Sequence, residues 1–307
     1  MMAQTWHNQI GGFLSGRWVA GPIFGKELRT SSRRRRTYVL RSVYLILLTA
    51  FVVLVWLAEV QRGLHRGSLA SRVAYMPEAG KIIIMCIVWF QFCAMQLVAV
   101  VMLSTAISDE IHGRTLGVLM TTPINSFQVV MGKLLSKLWQ LIILVGISLP
   151  LLAVVRVFGG VPWEFLVAGV CTTLTAMLFA AAVAMFFSVY CRRAYVAILL
   201  TLVVGGGLYL LVPFVVIMAL KGSYSERQVL PPLCTVNPFG ALILMTDQTI
   251  RPWRAGRWAF SWEAHCLAML VAAAAVLAVC VRVVRKATLR QIAGGTGAGA
   301  SIAPPSA

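Results

Sequence analysis

The chain has 307 residues, is 60% hydrophobic and only 12% charged, and has a mean hydropathy of +0.86. Soluble domains run about 45–50% apolar and about 25% charged, so a soluble globular protein, a disordered chain and a collagen-like chain are excluded. The formal net charge of +18 leaves two classes, a membrane protein with basic loops and a nucleic-acid binder, and the placement of the charges separates them.

Residues 1–38 carry no continuous apolar run of the signal-peptide kind. Trp6, Ile10, Phe13, Leu14 and Trp18 recur at helical spacing. Pro22 then suits the first position of a helix on which Ile23, Phe24 and Leu28 share a face and Lys26, Glu27 and Arg29 lie elsewhere. This pattern predicts an amphipathic helix lying in the membrane interface, followed by the basic run 33–36. A membrane-crossing helix needs about 20 apolar residues, and six stretches qualify: 39–60, 81–108, 134–155, 164–190, 194–220 and 263–284. Arg41, Glu59, Lys81, Lys137 and Arg282 fall at or near their ends.

The second and third stretches are joined by more chain than a connection needs. Ser108 or Asp109 can cap a helix there, and Asp109 and Glu110 suit its N-terminal dipole. Leu116, Leu119 and Met120 form an apolar set at i, i+3 and i+4, and Pro123 ends the helix. Such an element either lies on the membrane or docks another protein.

Further along, Gln91, Gln96 and Gln140 are polar residues within spans, open to interhelical bonding or to substrate contact. Ala168, Gly169, Thr172, Thr173, Thr175 and Ala176 make the fourth stretch small-sided, which fits close helix packing. Thr172 and Thr173, with Gln91 and Gln96, are candidates for the pathway or for packing. Glycines 205–207 and Pro213 make the fifth stretch bendable. In the loop 221–262, Asn237-Pro238 followed by an apolar run predicts a short helix before the sixth stretch. Residues 286–307 read as a disordered tail.

With the N-terminus inside, 17 of the 27 Lys and Arg fall on the inner side, eight of them in the N-terminal segment. That bias predicts cytoplasmic termini and a multi-pass plasma-membrane protein. It also removes the nucleic-acid reading, because the basic residues flank spans instead of lining one groove. Trp163, Trp253, Trp258 and Trp262 at the outer ends, and Tyr38, Tyr44 and Trp139 at the inner ends, read as an interfacial belt.

No phosphate loop and no HExxH zinc motif occur, and His7, His65, His112 and His265 are not mid-span. All nine acids lie in loops or near span ends, which weighs against an ion-coupled carrier. Of the seven cysteines, Cys86, Cys93, Cys171 and Cys280 lie within spans, whereas Cys234 and Cys266 share the outer side and could pair.

One stretch carries a family resemblance. Glu110, Arg114-Thr115-Leu116, Leu119-Met120, Thr122-Pro123 and Gly132-Lys133-Leu134 follow the pattern E-x-E-x-(G/R)-T-L-x-x-L-L-x-(T/S)-P…GK, with His112 where the second acid usually stands. Together with Lys26-Glu27-Leu28-Arg29 and the basic run 33–36, this resembles the permease subunits of the type-2 ABC (ATP-binding cassette) exporter family. The resemblance implies an all-α fold of six membrane helices over 39–285. It implies an N-terminal interfacial helix within 1–38 and a cytoplasmic coupling helix between spans two and three. It further implies a permease that binds no cofactor and hydrolyses no ATP itself. It would pair with a second permease subunit, identical or not, and with separate ATPase subunits that use the ATP. Lys26, Glu27, Arg29, Asp109, Glu110, His112, Arg114, Thr115, Leu116 and Leu119 would face that ATPase. A membrane scaffold that only recruits a cytoplasmic partner through the same helix is the first alternative, and an ion-coupled carrier, disfavoured by the acid-free spans, is the second.

Overall fold

The computed structural model describes residues 25, 35–65, 68–107, 126–191, 193–220, 226–251 and 260–298. Their regular structure is entirely helical. Among the described residues five helices are long: α1 (Arg35–Leu64), α2 (Leu69–Ser104), α3 (Ser126–Gly159), α4 (Trp163–Tyr190) and the last, α9 (Trp262–Ala298). Between α4 and α9 lie α5 (Ala194–Gly206), a π-helical turn (Gly207–Leu211), α6 (Val212–Leu220), α7 (Glu226–Val236) and α8 (Pro238–Ile250). Six segments are long and apolar enough to cross a membrane: Tyr38–Leu64, Ala70–Ser104, Phe127–Val157, Trp163–Tyr190, Ala194–Leu220 and Trp262–Lys286. The six expected spans are therefore present.

Two of their ends differ from the hydropathy reading. The second span starts near Ala70 and not 81, because Ser68 caps α2 by accepting from the Ser71 amide at 3.2 Å. Glu78 and Lys81 are thus carried inside the helix. The third begins near Phe127, seven residues before the expected start. The early part of α2 has a partner in α1: Glu59, which is buried, accepts from the Tyr75 hydroxyl of α2 and pairs with Arg62 of its own helix. A lone carboxylate at this depth would be strongly disfavoured, and these two donors are what allow it to stay.

The centre of the bundle is α4, which packs on α2 and α9, with α3 packed on α2. Lipid offers no hydrophobic drive for helices to associate, so contact depends on close approach and shape. The fourth span supplies that with buried Ala168, Gly169, Thr172, Thr173, Ala176, Ala181 and Ala184. A Cβ added at Gly169 would lie 3.0 Å from a Val88 methyl of α2. The threonine hydroxyls turn back on their own helix: Thr173 donates to the Gly169 carbonyl at 2.7 Å and Thr175 to the Cys171 carbonyl at 2.9 Å.

The first and fifth spans are peripheral. In the fifth, Ala197 and Thr201 of α5 are buried, and the π turn and α6 contribute no buried residue. Helices α7 and α8 form a hairpin between the fifth and sixth spans. Its turn, at Asn237, bonds to Tyr209, eleven residues before the end of the fifth span. At 1.5 Å per residue the hairpin therefore reaches about 16 Å down beside that span. Asn237 caps α8 as the sequence predicts, accepting from the Phe239 amide at 2.9 Å and the Gly240 amide at 3.2 Å.

Three expectations are corrected. Tyr44 is not an interfacial residue: it is buried and stacks on Phe90 at 6.5 Å, whereas Tyr38 and Trp139 are exposed. Cys234 and Cys266 are both free thiols, because Cys234 packs on Gly240 of α8 and Cys266 faces Thr175 of the fourth span. Residues 286–298, expected in a disordered tail, continue α9, where Ala, Leu, Arg and Gln favour helix. Of the expected interfacial helix at 22–29 only Gly25 is described, and it is helical; the expected coupling helix within 108–125 lies outside the described residues.

Overpacking a tight contact costs about 1–3 kcal/mol. Gly169→Leu is therefore expected to lower the melting temperature of the purified protein, read by thermal-shift fluorescence. Gly146→Ala, with no atom within 4 Å of the added carbon, is expected to leave it unchanged.

Candidate functional site

Two places in the bundle depart from plain helix packing. The first is a pocket of about 370 Å³ between the second, fourth and fifth spans, within the range of ligand sites. Cys93 and Gln96 line it from α2, Phe179 and Val183 from α4, and the π turn closes one side through Leu208 and Tyr209. Phe239 of α8 reaches it from the hairpin. The glycines at 205 and 206 also border the space, and a Cβ at 205, 206 or 207 would meet nothing within 4 Å.

The polar groups around this pocket are mostly spent on the protein itself. The Gln96 carboxamide, with its nitrogen toward α4, donates to the Ala176 carbonyl and accepts from the Met177 amide, both at 3.1 Å. Thr201 donates to the Ala197 carbonyl at 2.7 Å. The Tyr209 hydroxyl is buried with no hydrogen-bond partner among the described residues. Besides Tyr209 and the free thiol of Cys93, the described lining is apolar or bonded to backbone, so its chemistry suits an alkyl chain or another apolar group.

The other candidate pathway residues fall elsewhere. Thr172 is buried against Met245 of α8, with its Oγ1 3.8 Å from the sulfur, and Thr173 is turned onto Gly169. Gln91 is buried in α2, and its Nε2 has no partner among the described residues; the same holds for Gln140 in α3. Only Gln96 of the four borders the pocket.

The second place is the end of α2 that leads into residues 108–125. A helix ends with carbonyls that lack intrahelical donors. In the turn that follows α2, two residues past Ser104, the Ala106 carbonyl accepts from the ammonium of Lys133, which is buried and crosses from α3. A cation at a helix C-terminus also meets the negative end of the dipole. Ser188 of α4 completes the junction by accepting from the Ile107 amide at 3.1 Å. Three spans are thus tied together where α2 leaves the bundle. Lys133 belongs to the Gly132-Lys133 pair that ends the sequence motif, but nothing in the sequence pointed to Ala106 as its target. Ser188 was missed altogether: one serine in a long apolar run carries no signal. The residues expected to face an ATPase, Lys26, Glu27, Arg29, Asp109, Glu110, His112, Arg114, Thr115, Leu116 and Leu119, lie outside the described residues.

The family model of the ABC-2 family transporter proteins matches residues 22–288, most of the chain. The chain belongs to the ABC-2 transporter family. No curated protein matches it. This ABC-2 protein is accordingly a multi-pass membrane protein of a transport family, with six helices fit to span the bilayer. The matched residues take in both the pocket and the Lys133 junction, so both features belong to the ABC-2 unit.

Stripping a buried carbonyl of its donor costs about 1–3 kcal/mol. Lys133→Met is expected to loosen the end of α2. Tryptic cleavage at Arg114, followed by mass spectrometry, is expected to run several-fold faster than in the native protein, and an unchanged rate would show that the junction does not restrain the segment it precedes.

Proposed function

We propose that the chain is the permease subunit of an ATP-driven exporter, one half of a paired membrane unit powered by separate ATPase subunits. The family match over residues 22–288 carries this reading, and the absence of a phosphate loop from the sequence agrees with a permease that leaves hydrolysis to a partner. The charge bias supports termini, and with them the Lys133 junction, on the cytoplasmic side of the plasma membrane. The segments holding Lys26, Glu27 and Arg29, and Asp109 through Leu119, are then the ones a cytoplasmic ATPase would meet. The Lys133 and Ser188 contacts give the second of these a firm root, so that a push on it moves the second span.

The carried molecule is apolar or has an apolar part. What supports this is a mostly apolar pocket, in which Gln96 and Thr201 are bonded to backbone, beside a fifth span whose π turn is unburied. A membrane scaffold has no use for such a space, and the pocket favours transport over that alternative.

Two measurements test the reading. Affinity purification in mild detergent is expected to bring down an ABC ATPase. Glu110→Ala or Thr115→Ala is expected to reduce its recovery and its ATP turnover severalfold. If the chain purifies without any ATPase, or both variants behave as the native protein, the ATP-driven reading fails. For the pocket, a phosphatidylcholine with a diazirine near its acyl terminus is expected to label peptides from the second span and the π turn in nanodiscs. Val183→Trp, which fills the space, should abolish that labelling while leaving ATPase recovery intact.

A further inference from the structure

The fifth span is broken at one point, and the break has a covalent cause. In an uninterrupted α-helix the Tyr209 carbonyl would accept from the amide four residues on. That residue is Pro213, which has no N–H. The helix widens here, with the Val212 amide reaching back five residues to the Gly207 carbonyl. In hydrocarbon no water can satisfy the carbonyl left open, so a protein donor must come from elsewhere.

It comes from Asn237. Its Nδ2 lies 2.6 Å from the Tyr209 carbonyl oxygen, across 28 residues of sequence. Its Oδ1 is already committed to the amides of Phe239 and Gly240, which fixes which end of the carboxamide faces which partner. One side chain therefore both starts α8 and closes the gap in the fifth span. The rings on either side pack accordingly: Tyr209 sits 5.8 Å from Phe239 and 6.2 Å from Phe179. Tyr209, Phe239 and Phe179 all line the pocket.

We propose that Asn237 is a positioning residue for the pocket: its amide replaces the backbone donor that Pro213 removes and so holds the π turn of the fifth span to the outer hairpin. The proposal rests on the pocket being the place where the carried molecule lodges, and it adds the element that sets the pocket's shape. With the bond made, the π turn and the tip of the hairpin move as one piece. With it broken, the wide turn is free to tighten into α-helix. One residue of register rotates the chain on one side of the turn by about 100°, which carries Leu208 and Tyr209 off the pocket wall.

The double duty of Asn237 allows a clean separation. Asn237→Asp keeps an acceptor that caps α8 as well as asparagine does, but loses the amide donor. Asn237→Ala loses both. Pro213→Ala returns a backbone N–H to this turn, which reaches the Tyr209 carbonyl when the turn takes α register and then makes the side-chain donor unnecessary. Hydrogen–deuterium exchange on the full chain in nanodiscs reads the two ends separately. Asn237→Asp is expected to speed exchange in the peptide 207–214 by roughly fivefold, the loss of one hydrogen bond, with the peptide 238–245 unchanged. Asn237→Ala should speed both. Adding Pro213→Ala to Asn237→Asp should return the peptide 207–214 to its native rate, and with it the diazirine-lipid labelling of the π turn that Asn237→Asp diminishes. An unchanged 207–214 peptide in Asn237→Asp, or no recovery with Pro213→Ala, overturns the proposal. If exchange behaves as expected but the lipid never labels the native pocket, the fault lies with the pocket's assigned role and not with the latch.

Discussion

A backbone carbonyl inside a bilayer has no water to turn to, and most of the polar architecture of this protein answers that one constraint. Where a helix is regular, the ladder satisfies itself. Where it stops or breaks, another part of the chain supplies the donor. Lys133 serves the turn after the second span at Ala106, and Asn237 serves the gap above Pro213; Gln96 adds a further bond to the regular backbone of the fourth span beside the pocket. Each of these side chains comes from a different helix than the group it serves, so meeting the backbone's needs also sets where helices sit relative to one another.

Packing divides the bundle into a tight centre and a loose margin. The fourth span can approach its neighbours because it is built of alanine, glycine and threonine, and its hydroxyls consume their own carbonyls instead of demanding partners. The fifth span has the opposite character. It exposes Val203, Leu210, Leu211 and Phe214, and from Val212 to Leu220 nothing is buried. A helix with so few neighbours has little to hold a particular bend, which is why a single amide carries weight there. The pocket lies along the boundary between these regimes, with one wall rigid and the other held by Asn237 and a cluster of three rings.

The spans were legible because hydropathy is a property of long windows and needs no tertiary knowledge. The cap at Asn237 was legible for the same kind of reason: asparagine, proline and an apolar run are adjacent in sequence. What stayed hidden depends on which residues meet across tens of positions. Glu59 reads as an end-of-span charge until Tyr75 and Arg62 are seen around it. Tyr44 reads as a belt aromatic until its ring is found on Phe90. Helix α7 contains Pro231 and Pro232, which argue locally against any helix at all. The pocket had a partial signature in the glycines at 205–207 and in Pro213, but that signature announces only a bend. It does not say that the freed carbonyl would be met by a residue 28 positions away.

The second and fourth spans both take part in the two special places, and the second is the one that leads on toward residues 108–125. At one end it terminates in the carbonyl and amide held by Lys133 and Ser188, and further along it offers Cys93 and Gln96 to the pocket. From Ser104 to Gln96 is eight residues, about 12 Å of continuous helix. An α-helix transmits axial and rotational displacement over such a length with little loss, because bending it would open backbone bonds that the membrane cannot close. A tilt imposed at the Ile107 junction therefore moves the Gln96 wall of the pocket directly. The opposite wall belongs to the fifth span, which shares no backbone with that junction and is anchored to the outer hairpin through Asn237. The two walls thus answer to different ends of the molecule. A pocket built this way can change width when one end is pushed and the other is held, without any helix having to unfold.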